Sequence, residues 1–577
     1  MGFLRPEVPE IDAVTWASTS RSGRLRSMSR HIAERGVGTP AAVHCWQVVR
    51  IGLFVGGGIG FALATTGIGG VGEIGRWWRE PIVFEKLVLW ALLFGVLGLG
   101  FGLGPLHRRS FPPIGSAGYW LRPGALRLAP WPDRIPFTAG EVRTPVDTGL
   151  VWLLVAATVL ALLSGGTGPG AGAAGVIPAW KITVIIALVI AVGLRDKVVF
   201  VAAGGAVYGP LLVAFLFPGT DMIVAAKLVM VVMWVGAAAS KLNRHFPFVL
   251  ALMMSNSPAI RARWTKRSFY EGFPDDLRPA RWFRSAAYGA AAVEFVAPLV
   301  LLLAPEVIPG LPQLPIAAAW VLVTFHALIV LSIPVGVPLE WNIVMVFGIW
   351  TLFIDKAGIG LGDIRHPVAV AILVAVVGAA VVAGNVVPQR IWFLPPAMRY
   401  YAGNGDSALW CLTASAQDKI DTTVVMTLGT PRVHLEKFHG KEQAEILDSL
   451  GHAFRAMNTH GRALFTLLGR TIPAGREDEY AIVDGEHVSS AAVGWNFGDG
   501  HLPSEQLIAA LQRRCRFAPG ETRIVILDAQ PIHRQTQRYR LVDAASGEFE
   551  RGVVQVADLV SRQPWDDDVP VRVCDAR

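Results

Sequence analysis

Two ionisable side chains, Glu294 and His326, lie within long apolar stretches of the sequence. An ionisable group inside a membrane-spanning helix costs free energy unless it faces a partner or water, so both residues are functional candidates. If their helices are adjacent and antiparallel, the carboxylate and the imidazole can meet, since both lie about 10 to 14 Å from one membrane boundary at a rise of about 1.5 Å per residue. Such a pair could transfer protons at low dielectric constant, or it could only fix the packing of the two helices. Glu340 and Lys241, at the ends of two further apolar stretches, complete the candidate catalytic group.

Polar side chains in the last third of the chain form a second set of candidates, for ligand binding. They are Asn496, Asp499, His501, His460 and Arg462. The first three alternate with glycines, and a glycine-rich loop lets a ligand approach the backbone closely. The alternative is ordinary turn and surface chemistry. We predict no metal site, because the histidines lack the helical spacing of a metal-binding motif.

The composition shows which solvent surrounds these candidates. Of 577 residues, 53% are hydrophobic and only 17% are charged, which excludes an ordinary soluble enzyme. The formal net charge is +8, yet acidic residues outnumber basic ones after residue 398. The basic surplus therefore flanks the apolar stretches, where it is typical of loops that contact anionic lipid headgroups. We predict binding to the lipid bilayer and none to nucleic acid.

Ten apolar stretches approach the roughly 20 residues that a helix needs to cross a bilayer. They are 51–70, 87–104, 148–164, 180–194, 198–218, 221–240, 285–304, 314–334, 340–354 and 367–387. The sequence therefore predicts an α-helical polytopic membrane domain with about ten transmembrane helices.

Loop charges predict how these helices are oriented. Loops 105–147 and 241–284 are rich in basic residues, whereas loops 164–179 and 305–313 carry almost no charge. Basic loops stay in the cytoplasm. We therefore expect a multi-pass protein of a bacterial inner membrane with both termini in the cytoplasm.

The remaining segments predict the domain organisation. Residues 1–47 form a basic cytoplasmic tail, 48–388 the transmembrane domain and 389–577 a soluble cytoplasmic α+β domain, with helices expected at 442–456 and 504–514 and strands at 522–527, 539–542 and 553–556. Within the membrane region, residues 246–284 are expected to lie at the membrane interface. Their part 261–284 interleaves arginines with aromatic residues, which favours anionic headgroups; the alternative is a solvated loop.

Several strings resemble a family of actinobacterial multispanning membrane proteins. They are residues 240–243, 253–256, 399–404, 494–502 and 563–565. This resemblance covers most of the chain and implies its architecture, but the function of that family is unassigned. Residues 236–242 are also faintly similar to the transmembrane domain of vitamin K-dependent γ-carboxylase-like proteins, in which a Gly- or Ala-rich helix end precedes Lys-Leu. That similarity implies a membrane enzyme with a quinone or lipid substrate, and it draws attention to Lys241.

Three functions remain open. An enzyme acting on a lipid or quinone-like substrate near the inner leaflet predicts a closed pocket lined by Glu294 and His326. A transporter for a lipid or small solute predicts broken helices and a cavity at the midplane. A scaffold that recruits a partner through the soluble domain predicts no cavity. No phosphate-binding or dinucleotide-binding motif is present, so the sequence names no cofactor.

Overall fold

A helical membrane domain precedes a domain built on one β-sheet. The computed structural model describes residues 3, 7, 9, 11, 13–99, 120–132, 134–167, 174–308, 310–332, 339–391, 399, 401–426, 436, 440–494 and 504–576. Two helices, α1 (Ala13–Ser18) and α2 (Arg21–Arg35), precede the membrane domain.

Helices at all ten predicted positions build the membrane domain. Its α-helices are α3 (Ala41–Leu63), α4 (Ile74–Trp77), α5 (Pro81–Val96), α6 (Pro145–Leu162), α7 (Ala179–Arg195), α8 (Lys197–Ala202), α9 (Gly205–Ala214), α10 (Thr220–Ser240), α11 (Phe246–Ser255), α12 (Arg263–Ser268), α13 (Arg281–Val307), α14 (Gln313–Ser332), α15 (Leu339–Gly348), α16 (Pro367–Val386) and α17 (Pro388–Ile391). Helix α15 continues as a π-helical turn, Ile349–Ile354.

Among the described residues, six helices are long and apolar enough to cross a membrane, namely α3, α6, α10, α13, α14 and α16. Integration into a membrane is thus supported, but the predicted count of ten spans is not confirmed. Helix α5 explains part of the difference, because its 16 residues extend only about 24 Å. Every residue of α5 is buried, so this helix lies at the centre of the bundle.

The predicted span 198–218 is broken. Helices α8 and α9 are separated by Gly204, which has a left-handed φ of 61°. A side chain at this position would strain the backbone, and its Cβ would lie 2.7 Å from the ring of Tyr208. The apolar pattern continues across the break, so hydropathy alone does not reveal it.

The C-terminal domain has a six-stranded antiparallel sheet. Helices and strands occur at the five predicted positions, and three further strands and four further helices were not predicted. The strand order is β4-β3-β5-β6-β7-β8, after a separate hairpin of β1 and β2 in the membrane region. The strands are β1 (Tyr270–Gly272), β2 (Asp276–Pro279), β3 (Ser407–Thr413), β4 (Tyr480–Asp484), β5 (Thr522–Leu527), β6 (Thr536–Asp543), β7 (Gly547–Gln555) and β8 (Val571–Ala576). The helices are α18 (Ala414–Thr423), α19 (Lys441–Met457), α20 (Thr459–Thr471), α21 (Gly485–Val493), α22 (Ser504–Cys515) and α23 (Val556–Ser561).

Helices cover both faces of this sheet, because successive residues of a strand point to opposite sides. Leu409 and Val525 face α19 and α20. Trp410 and Ile524 face α18, α21 and α22. We call this unit, residues 407–576, the sheet domain.

The N-terminal segment differs from the predicted tail, since α2 packs on the sheet domain. Met28 and Ile32 are buried in the same apolar cluster as Leu447 of α19. The hydroxyl of Ser22 donates a hydrogen bond of 2.7 Å to the carbonyl oxygen of Trp565. The basic residues that suggested a tail lie on the outer side of an amphipathic helix.

The sheet domain is bound directly to one end of the membrane helices. Arg399 donates hydrogen bonds of 3.0 Å to the carbonyl oxygens of Gly384, in α16, and Gln530, in the sheet domain. The backbone N–H of Ile532 also donates to the carbonyl oxygen of Asn385 at 2.9 Å. The membrane domain therefore has one end covered by the sheet domain, which we call the covered end.

Helix α11 lies at this junction, with apolar side chains packed against protein. Phe246, Phe248 and Leu252 are buried in protein. Trp264 and Trp282 are exposed, at 75% and 53%. Binding of anionic headgroups by residues 261–284 remains a prediction, to which these two tryptophans are suited.

Candidate functional site

A buried ion pair joins two membrane helices at the covered end. Lys241, at the C-terminal end of α10, donates to Oε2 of Glu294 in α13. The two side chains are 11% and 5% exposed. The Lys241 ammonium also lies 5.2 Å from the ring centre of Phe325 and 5.8 Å from that of Phe246. The charges are thus enclosed by aromatic rings rather than by water.

His326 does not pair with Glu294, contrary to the expectation from sequence. The indole N–H of Trp234 donates to His326 Nε2 at 2.9 Å, and His326 Nδ1 lies 2.8 Å from Oδ1 of Asn342. Since Nε2 accepts, the proton is on Nδ1 and is donated to Asn342. Both ring nitrogens are occupied, so this histidine connects α10, α14 and α15 and has no free nitrogen to act as a base.

Glu340 lies at the start of α15 with an unused acceptor. Its side chain is 4% exposed, and Oε2 has no hydrogen-bond partner among the described residues. Arg50 of α3 is 1% exposed and lies within electrostatic reach of Glu340. Sequence reasoning missed Arg50 because it placed the start of the first span at residue 51, whereas α3 begins at Ala41.

Two histidines meet where the sheet domain contacts α11. His245 Nδ1 lies 2.6 Å from the hydroxyl of Thr459, and Nε2 lies 2.8 Å from Oε1 of Gln530. The His245 ring stands edge-on to that of His460, with centres 4.9 Å apart. His460 Nε2 in turn accepts from the side-chain amide of Gln537 at 2.9 Å. Burial lowers the pKa of His245 to about 4 and that of His460 well below its usual range.

We expect this junction to weaken in acid. The pKa of His245 falls from 6.5 in the unfolded chain to about 4 in the folded one, so the stability that the neutral ring contributes is present above pH 6.5 and is lost towards pH 4. The thermal midpoint should therefore drop between pH 7 and pH 5, and His245→Gln should reduce that drop. Thermal unfolding of both proteins in detergent measures it. An equal drop in wild type and variant would contradict the assignment to His245.

Two of the predicted ligand-binding residues, Arg462 and His460, belong to the part of the chain that the structure describes. Arg462 is buried, donates at 2.9 Å to the carbonyl oxygen of Leu559 and also donates to that of Arg562. Its guanidinium lies 4.6 Å from the ring centre of Phe248, and burial lowers its pKa to about 9. Arg462 and His460 thus contact α11 and the residue before it, and so hold the sheet domain against the membrane domain. The other three residues, Asn496, Asp499 and His501, lie outside the described residues.

A charged cavity of about 440 Å³ opens beside the sheet, and sequence reasoning did not find it. Its walls include Asp406, Asp528 and Arg540. Burial and the neighbouring Asp406 carboxyl raise the pKa of Asp528 to about 8. Arg540 donates to Asp528 at 2.8 Å. The two acids meet through the pairing of β3 with β5, which no local motif signals. Among the described residues, no group of three or more His, Cys, Asp or Glu could hold a metal ion.

Comparison with known proteins agrees with the membrane architecture. A family described as "Transmembrane protein of unknown function (DUF3556)" matches residues 1–574. No curated protein and no solved structure matches the chain. The resemblance to a membrane family of unassigned function is thus supported, while actinobacterial origin and similarity to γ-carboxylases stay predictions. Because the match spans nearly the whole chain, this protein belongs to the DUF3556 family of transmembrane proteins.

Proposed function

We propose that the protein is a membrane-embedded enzyme that acts on a lipid or quinone-like substrate at the covered end. The observation that supports this proposal is the ion pair of Lys241 and Glu294. A charge pair away from water stabilises a fold no better than apolar packing does, so its presence favours a chemical role.

The pair is suited to proton transfer. An ionised Glu294 can take a proton from a substrate hydroxyl, while Lys241 stabilises the negative charge that develops on the substrate oxygen. The surrounding rings exclude water and so strengthen both interactions. Glu340, at the start of α15, lies beside the same end of the bundle and could bind the polar part of the substrate.

The helices that carry the pair favour an enzyme over a transporter. A transporter site is expected between related broken helices. Lys241 and Glu294 instead belong to α10 and α13, each of which is one continuous helix, and Lys241 follows the last residue of α10, at the covered end. The break at Gly204 is the observation that favours a transporter as second candidate. With the cytoplasmic orientation that the loop charges predict, the substrate enters from the inner leaflet of a bacterial inner membrane.

Untargeted mass spectrometry of lipids and metabolites tests this proposal. Cells that lack the protein are compared with cells that carry the wild type, Glu294→Gln or Lys227→Gln at equal amounts. Lys227 is the matched control, because it is also a buried membrane cation but binds two backbone carbonyls, at 2.9 and 2.6 Å. We expect the deletion and Glu294→Gln to lose one product and accumulate its precursor, and Lys227→Gln to resemble wild type.

Other outcomes overturn the proposal. A species that changes compartment without changing chemically would establish transport. A metabolite profile that changes on deletion but not in Glu294→Gln would mean that the ion pair only stabilises helix packing. It would favour the scaffold hypothesis.

A further inference from the structure

Two exposed arginines, Arg244 and Arg284, lie where α13 contacts the chain that follows α10. The hydroxyl of Tyr288, in α13, donates a hydrogen bond of 3.1 Å to the carbonyl oxygen of Asn243. Arg244 is the residue after Asn243, and Arg284 precedes Tyr288 by four residues, or about one turn of the helix. Tyr288 also lies within electrostatic reach of both guanidinium groups. The two arginines therefore share one surface, which we call the arginine surface.

The arginine surface lies at the membrane boundary of the covered end. Trp282 is in the first turn of α13 and is 53% exposed, and tryptophan is concentrated at membrane–water interfaces. Further along this helix, Phe295 and Val296 are 42% and 53% exposed, as expected of side chains that face lipid. Helix α13 is long and apolar enough to cross the membrane. Arg284, between Trp282 and the apolar part, is thus at the depth of lipid headgroups.

The same surface adjoins the buried ion pair. Lys241 precedes Arg244 by three residues, and Glu294 follows Tyr288 by six, which is about 9 Å along α13. Leu242, directly after Lys241, is 59% exposed, so lipid chains contact the segment that carries the ammonium. A lipid whose charged end contacts the two arginines and whose chain follows α13 into the membrane therefore lies beside the ion pair.

The charge of the surface defines the charged end of that lipid. Guanidinium groups present N–H donors in a planar fork that matches the oxygens of a phosphate. Two of them carry two positive charges, which the phosphate of an anionic lipid offsets. A zwitterionic headgroup also brings its own cation, which both arginines repel. An anionic phospholipid is thus the better match.

We propose that Arg244 and Arg284 bind the phosphate of an anionic lipid in the leaflet at the covered end and so position the lipid chain beside Lys241 and Glu294. This inference rests on the proposed function, because it names a phosphate-carrying lipid as the substrate class of the ion pair. The group that reacts lies deeper in the membrane than the phosphate. Since Arg244 is outside residues 261–284, this site differs from a general attraction of headgroups to that segment.

Photocrosslinking tests the proposal on the full-length protein in nanodiscs. The probes are phosphatidylglycerol, phosphatidic acid and phosphatidylcholine, each with the same photoreactive acyl chain. We expect at least one anionic probe to label α13 in competition with its unlabelled form, and phosphatidylcholine not to do so. Arg244→Gln and Arg284→Gln should each lower this specific labelling at least about tenfold, the effect of losing about 1.4 kcal/mol of binding free energy.

Arg390→Gln is the matched control. Arg390 is also an exposed arginine at the covered end, in α17 directly after the span α16, but it is on another helix. We expect this variant to label like the wild type. All three arginines are exposed, so their replacement should leave the fold intact, which thermal unfolding in detergent checks.

Several results would overturn the proposal. Equal labelling by phosphatidylcholine would show that the phosphate charge is not recognised. Labelling that ignores both Arg244→Gln and Arg284→Gln, or that falls equally in Arg390→Gln, would leave only a general attraction of anionic lipid. Competition by water-soluble glycerol 3-phosphate at the same concentration as the unlabelled lipid would identify a soluble phosphate, rather than a lipid, as the ligand.

Failure of the lipid site and failure of the enzyme are distinguishable. Labelling as expected, with an unchanged metabolite profile in Glu294→Gln, would retain the site and reject the proposed reaction. A changed profile in Glu294→Gln, without labelling by either anionic probe, would retain the reaction and reject the phosphate-carrying lipid. If both hold, Arg284→Gln should lower the product that Glu294→Gln abolishes.

Discussion

Lys241→Met lowers the free energy of unfolding by about 3–5 kcal/mol, because it leaves the Glu294 carboxylate buried without its cation. The pair is enclosed in the bundle, so water cannot replace the ammonium. Thermal or denaturant unfolding of the purified protein in detergent measures the change. A loss below about 1 kcal/mol, the value of an exposed pair, would contradict the buried pair.

A double variant separates packing from chemistry at the same pair. Lys241→Met combined with Glu294→Gln removes both charges, and we expect it to recover most of the lost stability. The metabolite profile should stay that of the deletion. Lys356→Met is the matched control for stability, since Lys356 pairs with its sequence neighbour Asp355 at 2.7 Å and is 23% exposed. Recovery of the wild-type profile by the double variant would reject a catalytic role for the pair.

Arg462→Met should loosen the junction between α11 and the sheet domain, at a cost of about 3–5 kcal/mol. The substitution deprives one buried and one partly buried carbonyl oxygen of their donor, which costs about 1–3 kcal/mol each, and removes the cation from the face of Phe248. Hydrogen exchange should accelerate in 246–255 and 556–562. Unchanged exchange in both segments would contradict the role assigned to Arg462.

Arg476→Met provides the control for this variant. Arg476 lies shortly after α20 and pairs with Glu479, and both side chains are about half exposed, at 51% and 50%. We expect it to cost less than about 1 kcal/mol and to leave exchange in α11 unchanged.

Hydropathy located the membrane helices well, because burial in lipid requires a long apolar segment whatever its neighbours are. It did not reveal the break at Gly204 or how many helices cross, since a helix inside the bundle is as apolar as one in lipid. The predicted strand 522–527 agrees with β5. The order of the sheet depends on pairing between distant segments, which local patterns do not contain.

The sequence indicated that Glu294 and His326 are buried, but it did not indicate their partners. Glu294 and His326 are buried as expected, but the rotation of each helix about its axis decides which side chains meet. Trp234 reaches His326 and Lys241 reaches Glu294. The first span was also predicted to begin at residue 51, whereas α3 begins at Ala41. Arg50 therefore fell outside the expected span. A single sequence therefore predicts that these helices exist, but not which of their side chains contact each other.

The contact between α2 and the sheet domain sets an order for biosynthesis. Ser22 and Trp565 are 543 residues apart, so α2 leaves the ribosome long before its partner exists. Until then, the apolar side of α2, with Met28 and Ile32, must be shielded by the membrane surface or a chaperone. A chain that terminates early never covers this surface. Covering the apolar side of α2 is therefore a late step, which depends on synthesis of the sheet domain.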